Sequence, residues 1–388
     1  MAMDASLSHN LRRLRDARKL SQAEVADRAQ LSRVAYGNIE SGAAQPRVET
    51  LMRIAEVFGV KLQDLLTPTR SLRAVRFRAL KRMTSREQVL VDVVRWLENY
   101  NELEGMLKER IAFRFDRLLR ELAKMSPGAE RAKVAAERAR HALNLAPDAS
   151  IRDICGLLQE RGGVKVYPMA LASDAFFGLS VAKDDGGPAV VVNVWERISV
   201  ERWIFTAAHE LGHLLLHLGA YDVTKTEENR EEEEEANQFA SHFLMPPDVF
   251  ALEWNEARGL SLVDRVLKVK RIFRVSYRTV LYRLSEQRAY GKGIWQQFQF
   301  AYRARFGQSL LKSDEPQALP AEDFNAAMVE PRAAEEPKRL SDEDFVEDRL
   351  HRLVRTALEK ELISVGRAAE ILDLDLKSMR AVISSWVE

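Results

Sequence analysis

The sequence predicts a multidomain, mainly α protein with one small α+β region. Three observations lead there. The chain has 388 residues, which is long for a single core and points to roughly two to four domains. Helical periodicity runs through most of it. After Pro147 that rhythm breaks into three short β-branched or aromatic runs, VKVYPM, FGLSVA and AVVVN, separated by Gly, Asp and Pro. They read as a small three-stranded sheet.

Composition narrows the class. Hydrophobic residues make up 46% and charged residues 30%, with a net charge of +1, as expected of a globular protein. The sign is unevenly spread: residues 71–146 are basic and residues 227–235 are nearly all acid. Cys155 is the single cysteine, so no disulfide forms within the chain and a reducing cytoplasm fits. The N-terminus lacks an apolar core of signal-peptide type, and no run of 18 uncharged apolar residues occurs. The expectation is a cytoplasmic protein with no membrane partner.

Residues 1–70 read as five short amphipathic helices. In SQAEVADRA, Ser21 precedes Glu24 by three, a capping-box pattern; Gly42 ends the next helix and Pro68 ends the unit. Residues 71–145 continue as a basic helical connector, broken at Ser126-Pro127-Gly128. Residues 146–290 hold the strands, a long helix around TAAHELGHLLLH (Thr206 to His217) and a second helix from about Glu228 to Leu244. Met245-Pro246-Pro247 stops that second helix, because proline cannot continue it. Residues 291–340 form an extension and an acidic, Pro-rich linker. Residues 341–388 return to helical periodicity with a helix–turn–helix rhythm, as in a small interaction domain.

The long helix carries the chemistry. Residues four apart lie on one helical face, so His209 and His213 can put two imidazole nitrogens on one metal ion. Glu210 points about 100° away, close enough to hold a water at that ion. This is the H-E-x-x-H arrangement. A zinc ion held this way lowers the pKa of bound water toward about 7, and the glutamate can take its proton. A catalytic zinc wants a third protein ligand. In EENREEEEEANQFASHFLMP most glutamates belong to a solvated face. Ala236, Phe239, Ala240, Phe243 and Leu244 define the buried stripe, and Glu233 borders it. Asn237, four residues on, could brace a ligand histidine. Glu232 and Glu234 are less well placed alternatives. His242 falls on the opposite face, and His217 reads as a core or rim histidine.

FTAAHELGHLLLH followed by EEEANQFASHFLMP, with the preceding FGLSVAKDDGGPAVVVN, resembles the ImmA/IrrE metallopeptidase family over roughly residues 146–290. The resemblance implies a zincin-like domain, zinc (or manganese) held by His209, His213 and Glu233, and Glu210 as catalytic general base. A nearby histidine or tyrosine could stabilise the oxyanion. SQAEVADRAQLSRVAYGNIESG resembles the Xre/Cro-type helix–turn–helix over about residues 6–66. In that fold the helix from Ser32 to about Glu40 enters the major groove of double-stranded DNA. Arg33 could read guanine or bind phosphate, Tyr36 and Asn38 could touch bases or backbone, and Gln22 would sit near a phosphate. Gly37 weakens that helix by about 1 kcal/mol. Residues 1–70 are only slightly basic, so a homodimer would strengthen DNA binding. A bundle that binds protein or dimerises is the other reading of this unit.

Together these features lead to the expectation of a DNA-binding regulatory zinc endopeptidase. It would cut a regulatory protein (a helix–turn–helix repressor, a partner protein or itself) to control transcription under stress. The alternative is a non-proteolytic transcription regulator, or an antitoxin-like protein, whose metal domain senses or scaffolds. An intact Glu210 favours the enzyme, since a structural metal site needs no general base.

Overall fold

In the computed structural model the described residues are 7–8, 10–12, 14–15, 20–60, 62–66, 75–79, 86–217, 229–287, 290–291, 293–311, 314–316 and 340–386. The chain forms two compact units. One comprises residues 1–72 and 81–98, the other residues 73–80 and 99–388.

The first unit contains α1 (Gln22–Arg28), α2 (Arg33–Ser41), α3 (Val48–Phe58) and α4 (Leu62–Leu66), preceded by helical turns at the described positions between 7 and 15. The predicted capping box is present: the Glu24 amide donates to Ser21 Oγ at 3.2 Å and the Ser21 amide to Glu24 Oε2 at 2.7 Å. Gly42, at φ 78°, closes α2 in the left-handed conformation that favours glycine. Leu11, Val25, Tyr36, Ile54 and Phe58 form a core from which water is almost wholly excluded. The expected end at Pro68 lies outside the described residues.

The second unit contains β1 (Val75–Ala79), α5 (Arg86–Leu107, whose first half clusters with the other unit), α6 (Asp116–Leu122) and α7 (Ala129–Ala142). A π-helical turn, Leu157–Gly162, leads to β2 (Lys165–Met169), β3 (Phe176–Val181) and β4 (Ala189–Asn193). Then come α8 (Val200–Leu216), α9 (Arg230–Leu244), α10 (Pro247–Glu256), α11 (Leu262–Phe273), α12 (Tyr277–Ser285) and α13 (Ile294–Phe306). The chain closes with α14 (Arg349–Glu359), α15 (Val365–Ile371) and α16 (Leu376–Ser385).

The three expected strands all form, and a fourth joins them. The sheet order is β1-β3-β4-β2, with β2 parallel to β4 and β3 antiparallel to both neighbours. β1 corrects the expectation of a wholly helical connector over 71–145. Its sequence VRFRA alternates with a period of two, a pattern masked by its arginines and by the helical stretches around it. The sheet makes it a strand by pairing Val75 with Val181 and Phe77 with Leu179. All described residues of β3 and β4 are buried, and α8 lies against them. Gly178 of β3 marks that contact: a Cβ there would fall 2.6 Å from Thr206 Cγ2 and 2.8 Å from the Val191 carbonyl oxygen.

Residues 340–386 are part of this unit rather than a body of their own. Phe345 packs edge-on against Trp203, the Glu347 carboxylate accepts from Gln159 at 2.7 Å, and Arg349 pairs with Glu104 at 2.9 Å. Much of the expected linker, residues 317–339, lies outside the described residues, as do residues 218–228. No helix among the described residues is long and apolar enough to cross a membrane.

Candidate metal centre and nucleic-acid face

α8 and α9 pack along their lengths because both have apolar stripes and small residues where they meet. Gly212 sits at that meeting: a Cβ there would lie 2.9 Å from Phe239 Cδ1. This close approach brings His209 and His213 of α8 opposite Glu233 of α9. One ligand atom from each of the three lies within 4.8 Å of the others. The two Nε2 atoms are 2.9 Å apart, and Glu233 carboxylate oxygens lie 3.2 Å from His209 Nε2 and 3.1 Å from His213 Nε2. Ligands placed tetrahedrally about zinc at 2.0–2.1 Å sit about 3.3 Å from one another, so these spacings fit such an ion.

The imidazoles are oriented from behind. His209 Nδ1 lies 2.9 Å from Asn237 Oδ1, which can only accept, so Nδ1 carries the proton and Nε2 presents its lone pair to the shared point. His213 Nδ1 lies 2.9 Å from His217 Nδ1. Lone pairs and a carboxylate at such distances repel unless a proton or a cation lies between them. The donor set, two imidazoles and a carboxylate, suits zinc, and manganese less well.

Glu210 is fully buried, and its Oε2 accepts a hydrogen bond from Ser180 Oγ at 2.9 Å. Ser180 was not foreseen. In FGLSVA it lies two residues after Gly178, so both face α8, and this alternation was the available signal. His217, expected to be a core or rim residue, reaches Glu235 Oε2 through its Nε2 at 3.0 Å. Glu235 in turn takes the Arg131 guanidinium in a two-pronged grip at 2.7 and 2.6 Å. Burial raises its carboxyl, but bonds from Arg131, His217 and the Gly128 amide hold it down at about 2. Glu235 shares the stripe of Phe239 and Phe243 at four-residue spacing, which would have singled it out from the acid run. Glu234 turns to solvent and pairs with Arg230 at 3.1 Å, and His242 Nε2 accepts from Arg283 at 2.6 Å, on a separate face.

In the first unit the five candidate DNA contacts divide. Ser32, Arg33 and Asn38 are exposed on α2 or at its start, beside Val34 at 71% exposure. The Ser32 hydroxyl also accepts from the Ala35 amide and caps the helix. Tyr36 is wholly buried, which corrects its assignment as a DNA contact. Tyr36, Ile39 and Glu40 form the inward face of α2, and the three-residue spacing of Tyr36 and Ile39 was its signal. Gln22 is half-buried and donates to Glu40 Oε1 at 3.1 Å. Glu40 also receives Arg15 in a bidentate pair at 2.7 and 2.9 Å.

Two family models match this architecture: the IrrE N-terminal-like domain (Peptidase_M78) over residues 159–285, and a helix–turn–helix over residues 11–65. An uncharacterized HTH-type transcriptional regulator, YqaE of Bacillus subtilis (strain 168), is 37% identical over 59 residues. A second, y4dJ of Sinorhizobium fredii (strain NBRC 101917 / NGR234), is 36% identical over 69 residues. These matches cover 15% and 18% of this chain; it spans about half (51%) of the first relative and 90% of the second. The crystal structure of Bacillus thuringiensis PlcR in complex with the peptide PapR7 and DNA aligns over 99% of both chains. It does so at 13% identity and a TM-score of 0.17, too low to bear on the fold. The chain thus joins a helix–turn–helix domain of Xre type to an ImmA/IrrE-like domain of a metallopeptidase-type family.

Proposed function

We propose that the protein is a DNA-binding regulator that hydrolyses a peptide bond in another regulatory protein, or in its own chain, with a zinc ion held by His209, His213 and Glu233. The convergence of those three side chains beside a buried Glu210 carries this reading. Asn237 orients the His209 imidazole. A bound zinc supplies Lewis acidity and lowers the pKa of water at the site. Glu210 accepts the proton of the attacking water and delivers it to the amine that leaves when the C–N bond breaks. Ser180 holds the Glu210 carboxylate in place for both transfers.

The exposed Arg33, Val34 and Asn38 of α2 form the face that enters the major groove. The HTH-type regulators similar to residues in this chain support the same use. Arg33→Ala should weaken binding to duplexes selected from a random pool by about 1–3 kcal/mol if it reads a base, measured by fluorescence anisotropy.

The peptidase half is tested by Glu210→Gln. Zinc-loaded full-length protein is incubated with soluble protein extract, and new N-termini are read by mass spectrometry. The substitution should lower their rate of formation by about 10²–10⁴-fold while zinc stays bound. Identical sets of termini from both proteins would sink the peptidase and leave a regulator whose metal domain senses or scaffolds.

A further inference from the structure

The two histidines of the centre are braced by different means. His209 rests on one amide oxygen, whereas His213 is the first member of a buried chain. That chain runs from His213 Nδ1 to His217 Nδ1 at 2.9 Å, from His217 Nε2 to Glu235 Oε2 at 3.0 Å, and from Glu235 to Arg131. None of the four side chains belongs to a residue more than 9% exposed. We propose that His217 is a positioning residue for the metal centre, fixing the tautomer and ring orientation of His213 and so setting how tightly an ion is held. This rests on the reading of His209, His213 and Glu233 as ligands.

The direction of the chain follows from its far end. Arg131 and the Gly128 amide both donate to Glu235, so the carboxylate is ionised and can only accept. His217 Nε2 must therefore donate to it, which leaves Nδ1 of a neutral His217 as an acceptor. His213 Nδ1 must then donate, and its Nε2 is left with a lone pair directed at His209 Nε2 and Glu233. With His217 as a neutral imidazole, one arrangement of protons satisfies every link, and it is the one a metal requires. The His213 and His217 rings are 5.1 Å apart between centroids and tilted by 54°. They meet through nitrogen atoms rather than through stacked faces, so the contact is not simple packing. The chain also draws on three parts of the fold: His217 caps α8, Glu235 lies on α9 and Arg131 on α7.

The test measures zinc affinity of the full-length protein by competition with a chromophoric chelator, with melting temperatures of the metal-free proteins alongside. His217→Phe keeps a ring of similar volume and removes both nitrogens. It should weaken zinc binding about 10–100-fold. His217→Gln presents an acceptor and a donor on neighbouring atoms and should stay within about threefold of the unsubstituted protein. Unchanged affinity in His217→Phe, or equal losses in the two variants, would overturn the proposal. Should His217→Phe fail to fold, His217→Gln decides alone: a tenfold loss overturns the proposal, and near-native affinity supports it. An unsubstituted protein that binds no divalent ion would instead sink the ligand reading beneath it.

Discussion

Each unit buries a glutamate under an arginine, Glu40 in one and Glu235 in the other, and the two differ in what the glutamate holds besides. In the helix–turn–helix unit Glu40 gathers Arg15 and Gln22. Both are partners within the bundle, and Arg15 remains 17% exposed at its side chain. In the peptidase-like unit Glu235 gathers Arg131, the Gly128 amide and His217, and through His217 it touches a candidate metal ligand. The first cluster joins helices so that the opposite face of α2 can meet a partner. The second organises a site at its own centre. A buried charge costs several kcal/mol unless paired, so the same device can serve as scaffold or as part of a functional site.

The contrast is sharpest if the arginines are removed. Arg131→Met leaves Glu235, 4% exposed, without its cation. It should destabilise the second unit by about 3–5 kcal/mol, read from urea denaturation of the metal-free protein. Acid probes the same carboxylate without a substitution. Its folded pKa of about 2 lies below the ordinary 4.5. Its contribution is therefore complete above about pH 4.5 and is lost as pH falls toward 2, worth roughly 3 kcal/mol. Urea midpoints taken at pH 7, 4 and 2.5 should trace this loss, and Arg131→Met should flatten it. Arg15→Met is the mildest test. Water can reach the Arg15 position, so the expected cost is about 1–2 kcal/mol. A loss as large as that for Arg131→Met would erase the distinction between the two clusters.

What could be read from sequence follows from the range of the forces involved. The strands β2, β3 and β4 announced themselves through β-branched runs between breakers, and α1 through its cap, because these signals are local. His209, His213 and Glu210 lie within five residues on one helix, so their proximity needed no tertiary knowledge. Glu233 required a facing argument on a second helix, and the structure does bring it to the histidines. The Ser180, His217, Glu235 and Arg131 contacts depend on how β3, α7, α8 and α9 pack, which no window of sequence contains. Tyr36 was misjudged because a tyrosine on a recognition helix invites a surface role, whereas its spacing to Ile39 turns it inward. β1 was missed because an outer strand draws its conformation from its neighbour more than from its own residues.

β1 also bears on how the protein can be divided. It supplies the outer neighbour of β3, the strand whose Ser180 grips Glu210, yet it lies upstream of every other strand. A shortened protein starting beyond residue 80 would retain all the ligands but lay bare a row of backbone amides and carbonyls alongside them. Bare rims of that kind recruit strands from other molecules. Minimal versions of this hydrolase-like half should therefore clump or capture stray peptides unless residues 75–79 travel with them.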